Sequence, residues 1–539
     1  MPDGILTAPT PAPVRRSGPG RLAGFLGSRF AAHTARRLER LGNGVPAQRQ
    51  IYRELMRTLA TTAFGRRVGL ALGLSYDSFR CRVEPRTYED FTPFIERMKR
   101  GEPDILCPGR CAHFAVSSGT TSGPSKWLPV NAAMLEHFRD AGLDSLFFYA
   151  QRSGSGGVFR GRHLFLGGSS ALLPVPGVEP PVWYGDLSGI TALNLPRWAE
   201  RFLYEPGIEI AQMTDWPAKL EAIVQRTLHA DITLVGGIPS WLLVLAATLR
   251  ARAARETGHT PATLKEIWPN LECLVHGGVP VGPFADELRA TYGEQVNLHE
   301  VYPASEGFIA AQDAEPEAGL RLLTDRGIFY EFLPLEDYDE SNLDFCDARA
   351  VPLEGVRPDV DYVLLMTTPA GLVRYVLGDV VRFVSVAPPR LVYVGRTKLQ
   401  LSAFGEHVIE RELTDILARV CRRHQVTPVN FHVAPLFPEP ACGRPLGRHE
   451  WWIELRPDAA TPDVGSFALE LDRELAALND DYAAKRAGRG MEIPAVNFVR
   501  PGLFEAWLKG AGKWGGQSKM PRCRSDRRVA GELASLVGS

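Results

Sequence analysis

The chain has 539 residues, 45% of them hydrophobic and 23% charged, the composition of a globular protein long enough for two or three domains. Sixty-one Lys and Arg residues against 62 Asp and Glu leave a formal charge of -1, which argues against a nucleic-acid footprint or a polybasic membrane face and for small-molecule partners. The eight cysteines are scattered without a zinc-ligand set, and no apolar run is long enough to span a bilayer, so reduced thiols in a soluble, cytoplasmic protein are expected.

Residues 1–20 are rich in Pro, Gly and Arg without periodicity, as in a disordered tail. Helical spacing follows in Leu22, Phe25, Leu26 and Phe30, in Ile51 to Leu72, and in Tyr88 to Arg110, which ends on the turn Cys107-Pro108-Gly109. Ala112 to Val116 reads as a strand entering Ser117-Ser118-Gly119-Thr120-Thr121-Ser122-Gly123-Pro124-Ser125-Lys126. Small hydroxyl residues and glycines let backbone approach an anion, and the lysine supplies charge, so the run suits a phosphate cradle. It does not match the ordinary P-loop spacing, and a plain surface loop shares its composition; the lysine and the entering strand favour the cradle. Ala132 to Tyr149 is then a helix whose start turns amides toward that loop.

Strands and helices alternate afterwards: His163 to Leu166, the helix around Trp198, Ile232 to Val235, Trp241 to Arg252, Leu271 to Val275, and Phe284 to Tyr292. This is an α/β pattern with a mostly parallel sheet. Gly236-Gly237-Ile238-Pro239 and Gly277-Gly278-Val279-Pro280 each follow a strand and precede a helix, either as tight turns or as places where backbone meets a flat ligand. The strand Val296 to Val301 ends in Tyr302-Pro303-Ala304-Ser305-Glu306-Gly307, which offers a ring, a hydroxyl and a carboxylate, or is simply a turn. Gly327 to Pro334 and Tyr362 to Thr367 read as strands of a smaller antiparallel region. The ribbon Gly371 to Phe383 carries Gly378-Asp379, suited to sugar hydroxyls or to a hairpin turn. A helix Glu406 to Arg423, strands Val429 to Ala434 and Glu450 to Leu455, a helix Phe467 to Arg486 and a strand Ala495 to Phe498 complete a small α+β region.

In their order, SSGTTSGPSK, YPASEG, YVLGD and GRTKLQLSAFGEHVIE resemble the adenylate-forming superfamily of acyl ligases and luciferases. YPASEGFIA, FYEFLPLED, TTPAGLVRYVLGD and GGQSKMPR narrow the resemblance to the Gretchen Hagen family of acyl-acid amido synthetases, over Ile51 to Arg522. The resemblance implies a tail over 1–20, a large multi-sheet α/β adenylation domain over 21–396, a hinge near Arg396 to Lys398, and a mobile α+β domain over 397–539. It implies an acid-amino acid ligase that uses ATP and Mg²⁺, forms an acyl-adenylate and pyrophosphate, and passes the acyl group to an amine. A thioester ligase and a catalytically silent nucleotide or acyl sensor are the alternatives.

By position, the resemblance gives Ser117, Ser118, Thr120, Thr121 and Lys126 to the ATP phosphates and Tyr302 to adenine. Ser305 goes to the α-phosphate, Glu306 to Mg²⁺, Asp379 to the ribose with Tyr375 and Arg396 nearby, and Lys519 to the charge that builds as the domains close. Two departures stand out: Gly405-Glu406-His407 follows general acyl ligases more than plant members of the family, and Val373 replaces an aromatic. Trp183, Tyr184, Met213, Trp216, Ile238 and Trp241 fall where the family builds its acyl site, and Trp183, Met213, Ile238 and Trp241 are taken as the substrate wall, although aromatics at such spacing also make core.

Overall fold

The computed structural model describes residues 18–537 apart from 118–125, 168–170, 279–280, 282–283, 340–342, 344–348, 398–399, 440–443, 457–459 and 511–519. Its main element is one mixed sheet of 12 strands. From one edge the order is Val351–Pro352, Phe329–Pro334, Asp361–Thr367, Tyr375–Val386, Pro389–Arg396, Leu320–Leu322, Gly307–Ala311, Asn297–Ala304, Cys273–Gly277, Ile232–Gly236, Arg162–Phe165 and Tyr204–Glu205. The last five run parallel and the rest antiparallel, so the parallel sheet and the antiparallel region expected from sequence are one continuous surface. The change of direction falls at the hairpin that joins Asn297–Ala304 to Gly307–Ala311.

A separate four-stranded sheet contains the hairpin His113–Ser117 with Lys126–Val130. The helix Ala132–Ser153 begins immediately after it because Asn131 accepts a hydrogen bond from the Met134 amide at 2.9 Å, while its own amide group donates to the Pro369 carbonyl at 2.9 Å. Two long helical expectations are broken by capping side chains. Ile51 to Leu72 becomes Val45–Leu59 and Ala63–Arg67, because Thr62 takes the Gly65 amide and starts a new helix. Phe467 to Arg486 becomes Val464–Leu478 and Asp480–Ala487, because Asn479 takes the Tyr482 amide.

The C-terminal region packs Glu410–Arg423 and Val464–Leu478 on a three-stranded sheet of Pro428–Leu436, Arg448–Leu455 and Ala495–Val499. Its first helix starts at Glu410 and not at Glu406, because buried Glu406 accepts from the Ala403 and Phe404 amides and His407 takes a left-handed φ of 42°. This region touches the main sheet's helices where Arg489 pairs with Asp215, Lys485 lies 4.7 Å from the centre of the Trp241 ring, and Phe437 meets Phe284 edge-on at 4.7 Å. Among the described residues no helix is long and apolar enough to cross a membrane.

Candidate active site

One hairpin and one strand carry the polar groups. The hairpin contributes Tyr302 and Glu306; the neighbouring antiparallel region contributes Tyr375 and Asp379, four residues apart on Tyr375–Val386. A bulge in the pairing with Asp361–Thr367, with Gly378 at φ 84°, separates Tyr375 from Asp379. Glycine is needed there because a side chain rarely adopts that backbone, and the bulge re-aims the aspartate. The Gly-Asp pair is therefore inside a strand and not in a hairpin turn.

The first group is Lys126, Tyr375 and Glu306. Lys126 opens its strand opposite Ser117, at the base of the loop that holds Ser118, Thr120 and Thr121, which lie outside the described residues. Its side chain is buried, its Nζ donates to the Tyr375 hydroxyl at 2.9 Å, and that hydroxyl donates to Glu306 Oε1 at 3.0 Å. The ammonium also lies 5.6 Å from the centre of the Tyr88 ring. Tyr375 is fully buried, and burial followed by the Glu306 charge pushes its phenol well above the usual range. The phenol therefore stays protonated, and ammonium, phenol and carboxylate form a directed chain of hydrogen bonds.

The second group is Tyr302, Asp379 and Arg396. Tyr302 donates to Asp379 Oδ2 at 2.6 Å, and Arg396 Nε is paired with Asp379 Oδ1 at 2.7 Å across the register that sets Asp379 opposite Arg396. Asp379 is only 3% exposed. Burial is the largest single influence and works against the charge on Arg396, but Asp379, Tyr393 and Glu306 together outweigh it, so the guanidinium is held charged. Burial and then Asp379 push the Tyr302 phenol up in the same way. The two groups are thus adjacent and electrostatically coupled through Glu306 and Arg396.

All six of these residues were named from the sequence; the structure sets them side by side, with the Tyr302 hydroxyl on Asp379 and Lys126 on the Tyr375 hydroxyl. Ser305 is half-buried in the hairpin turn beside Glu306. Two neighbours were not foreseen. Tyr88 lies beside Lys126 and accepts from the Trp127 amide at 2.7 Å, and Tyr393 sets its ring edge-on to Tyr302 at 5.8 Å. Neither belongs to a motif, so no sequence signal marked them. Lys519 lies outside the described residues.

The residues taken as the acyl wall fall in different settings. Trp183 is half-buried on a strand parallel to His113–Ser117, next to Tyr184, which packs on Trp127 at 4.4 Å. Met213 is half-buried just before the helix Trp216–Thr227. Trp241 is buried against Trp216 at 4.7 Å, and Ile238 packs on the same apolar cluster. Among the described residues no set of three or more His, Cys, Asp or Glu could hold a metal ion.

The site can be set beside known proteins. Family models described as the GH3 family N-terminal, central and C-terminal domains match residues 36–298, 321–396 and 411–528. An indole-3-acetic acid-amido synthetase of Oryza sativa subsp. indica is 25% identical over 563 residues, covering 91% of this chain and 90% of the relative. A jasmonoyl-L-amino acid synthetase of Oryza sativa subsp. japonica is 22% identical over 550 residues, covering 88% and 91%. In fold, the chain is similar to the AtGH3.15 acyl acid amido synthetase solved in complex with 2,4-DB, at TM-score 0.55 and 18% identity, covering 94% of this chain and 96% of that one. A 2-hydroxyisobutyryl-CoA ligase gives TM-score 0.53 at 16% identity, covering 92% and 91%. With three consecutive family models spanning most of its length and the paired polar groups in place, this chain belongs to the GH3 family.

Proposed function

We propose that the chain is an ATP-dependent acyl-acid amido synthetase that joins a carboxylic acid to the amino group of an amino acid. The observation that carries this reading is the pair of linked, largely buried groups Lys126-Tyr375-Glu306 and Tyr302-Asp379-Arg396 in a chain of this family. In the first step a carboxylate oxygen of the acid attacks the α-phosphorus of ATP and the bond to pyrophosphate breaks. In the second the amine attacks the acyl carbon, AMP leaves with the bonding pair, and the amine proton passes to solvent. Both steps gather negative charge on oxygen, which fixed cations and amides stabilise.

Asp379 has about four lone-pair positions; Tyr302 and Arg396 occupy two, and the remaining ones suit the two ribose hydroxyls. The Tyr302 ring lies against adenine and Tyr375 packs nearby. Ser117, Ser118, Thr120, Thr121 and Lys126 hold the phosphates, and Ser305 bonds the α-phosphate. Glu306 is the protein ligand for Mg²⁺ that arrives with the triphosphate; one hard carboxylate fits an ion that keeps water and phosphate oxygens. When bound, the ion neutralises phosphate charge. Lys126 and Tyr375 meanwhile fix the orientation of Glu306.

Trp183, Met213, Ile238 and Trp241 line the acid site. Trp183 and Met213, half-buried, have surface to offer an aryl or indolyl body, while Trp241 supports from the core. Residues 397–539 form a mobile domain that pivots at Arg396 to Lys398 and brings Lys519 over the reacting phosphate. The protein works in the cytoplasm, in keeping with free thiols at Cys81, Cys107, Cys111, Cys273, Cys421 and Cys523.

The test supplies ATP, Mg²⁺ and a panel of acids together with either amino acids or coenzyme A, and reads products by mass spectrometry. An amide with AMP is expected. A thioester without amide overturns the amido transfer, and nucleotide binding without any acyl product overturns the enzyme reading in favour of a sensor.

A further inference from the structure

The residue before Tyr375 is held by a dense set of polar contacts, none of which belongs to the groups already described. Arg374 is completely buried at φ 50°, a left-handed backbone that a non-glycine residue adopts only when its surroundings hold it there. Its Nε donates to Glu331 Oε2 at 3.1 Å, and its Nη2 is paired with Glu331 Oε1 at 3.0 Å. Its Nη1 donates to the Val83 carbonyl at 2.6 Å and the Arg80 carbonyl at 3.2 Å, at the end of the helix Tyr76–Arg82, where carbonyls lack helical partners. Its amide donates to Thr367 Oγ1 at 3.1 Å, and its carbonyl accepts from the Arg86 amide at 2.9 Å. Glu331, 1% exposed, is completed by the Tyr76 hydroxyl at 2.9 Å.

Glu331 lies two strands from Tyr375, so the arginine side chain reaches past the intervening strand Asp361–Thr367 to meet it. The next hydroxyl along the chain, that of Tyr375, bridges Lys126 and Glu306 with bonds of 2.9 and 3.0 Å. Those two bonds leave little slack, and a shift of about 1 Å breaks one of them. A buried ion pair is by itself weak evidence for stability, since an apolar pair of similar volume often serves as well. What it provides here is direction: the reversed backbone at Arg374 decides how Tyr375 leaves the strand.

We infer that Arg374 and Glu331 are positioning residues for the adenylation step, acting through Tyr375 on Lys126 and Glu306. The inference rests on the proposed function for its kinetic meaning. A misplacement of reacting groups by about 1 Å costs on the order of 100-fold in rate, so Arg374→Lys, which keeps the charge and loses the fork, lowers kcat for acid-dependent pyrophosphate release by roughly 10- to 100-fold with a much smaller change in KM for ATP.

The deciding experiment is a double-mutant cycle of Arg374→Lys with Tyr375→Phe, on full-length protein whose folding is checked by circular dichroism. If Arg374 acts through Tyr375, adding Arg374→Lys to Tyr375→Phe changes kcat less than twofold. Independent, multiplying effects overturn the inference. Should Arg374→Lys fail to fold, Thr367→Val replaces it in the same cycle, because it removes only the bond to the Arg374 amide. A wild-type protein that releases no pyrophosphate with any acid contradicts the amido synthetase reading instead. The same cycle is then read in Mg-ATP affinity by calorimetry, where non-additive losses support the positioning role and additive ones overturn it.

Discussion

Asp379 is held between a phenol and a guanidinium, and its role follows from what those partners leave free. Asp379→Asn keeps the shape but sets an amide beside half-buried Arg396 and weakens the charged acceptors for a ribose diol. Hydrogen bonds to charged groups contribute about 1.5–3 kcal/mol each, so kcat/KM for ATP should fall roughly 100-fold, while 2′,3′-dideoxy-ATP loses far less; equal losses with both nucleotides would show that Asp379 does not hold the sugar. Lys126→Ala should lower AMP formation similarly, and unchanged turnover would remove the lysine from charge stabilisation. At this scale the motifs named most of the residues. They did not reveal what each touches, because Tyr88, Tyr393 and Glu331 reach the site from elements far away in the chain. The acyl wall was least legible: a tryptophan facing a pocket and one facing core have the same spacing, and Trp241 proved to be packed on Trp216.

The elements were predictable where apolar periodicity was uninterrupted and were misjudged where a polar side chain captured a backbone amide. Thr62 and Asn479 divide helices that hydrophobic spacing alone would continue, and Glu406 delays the next one. Asn131 is a cap that closely follows Lys126 in sequence, and its side chain binds both the Met134 amide and the Pro369 carbonyl. Asn131→Ala should destabilise the fold by about 1–2 kcal/mol in urea titrations, and Asn131→Asp, which retains the cap but not the amide donor, should recover about half. If the two variants are equally stable, the cap is not what fixes the start of that helix.

Across the described residues, burial favours the neutral form of five histidines in both the main and the C-terminal regions. Burial lowers His137, His163, His276 and His432 from 6.5 to about 4, and His299 to about 3. His137 has a direct structural task, since its Nε2 accepts from the Phe308 amide at 2.8 Å just past Glu306. Because the unfolded chain takes up protons below pH 6.5 and the folded chain does not until about pH 4, stability is full above pH 6.5 and falls as pH drops through that window. Each group contributes up to roughly 3 kcal/mol at the acid limit, so urea midpoints should fall steeply between pH 6.5 and 4.5; a flat profile would mean that these histidines titrate normally in the fold. The α/β class was legible at this scale because strands and helices alternate, but the joining of parallel and antiparallel parts into one sheet was not, since pairing between distant strands leaves no local pattern. On the proposed function, this sheet presents a site for making an acyl-adenylate. This is tested most directly by exchange of labelled pyrophosphate into ATP, with Mg²⁺ and a panel of aryl, indolyl and aliphatic acids but no amine. Exchange that depends on the acid and falls roughly 100-fold in Asp379→Asn and Lys126→Ala is expected; exchange without any acid, or none with any acid at saturating ATP, would show that no acyl-adenylate forms here.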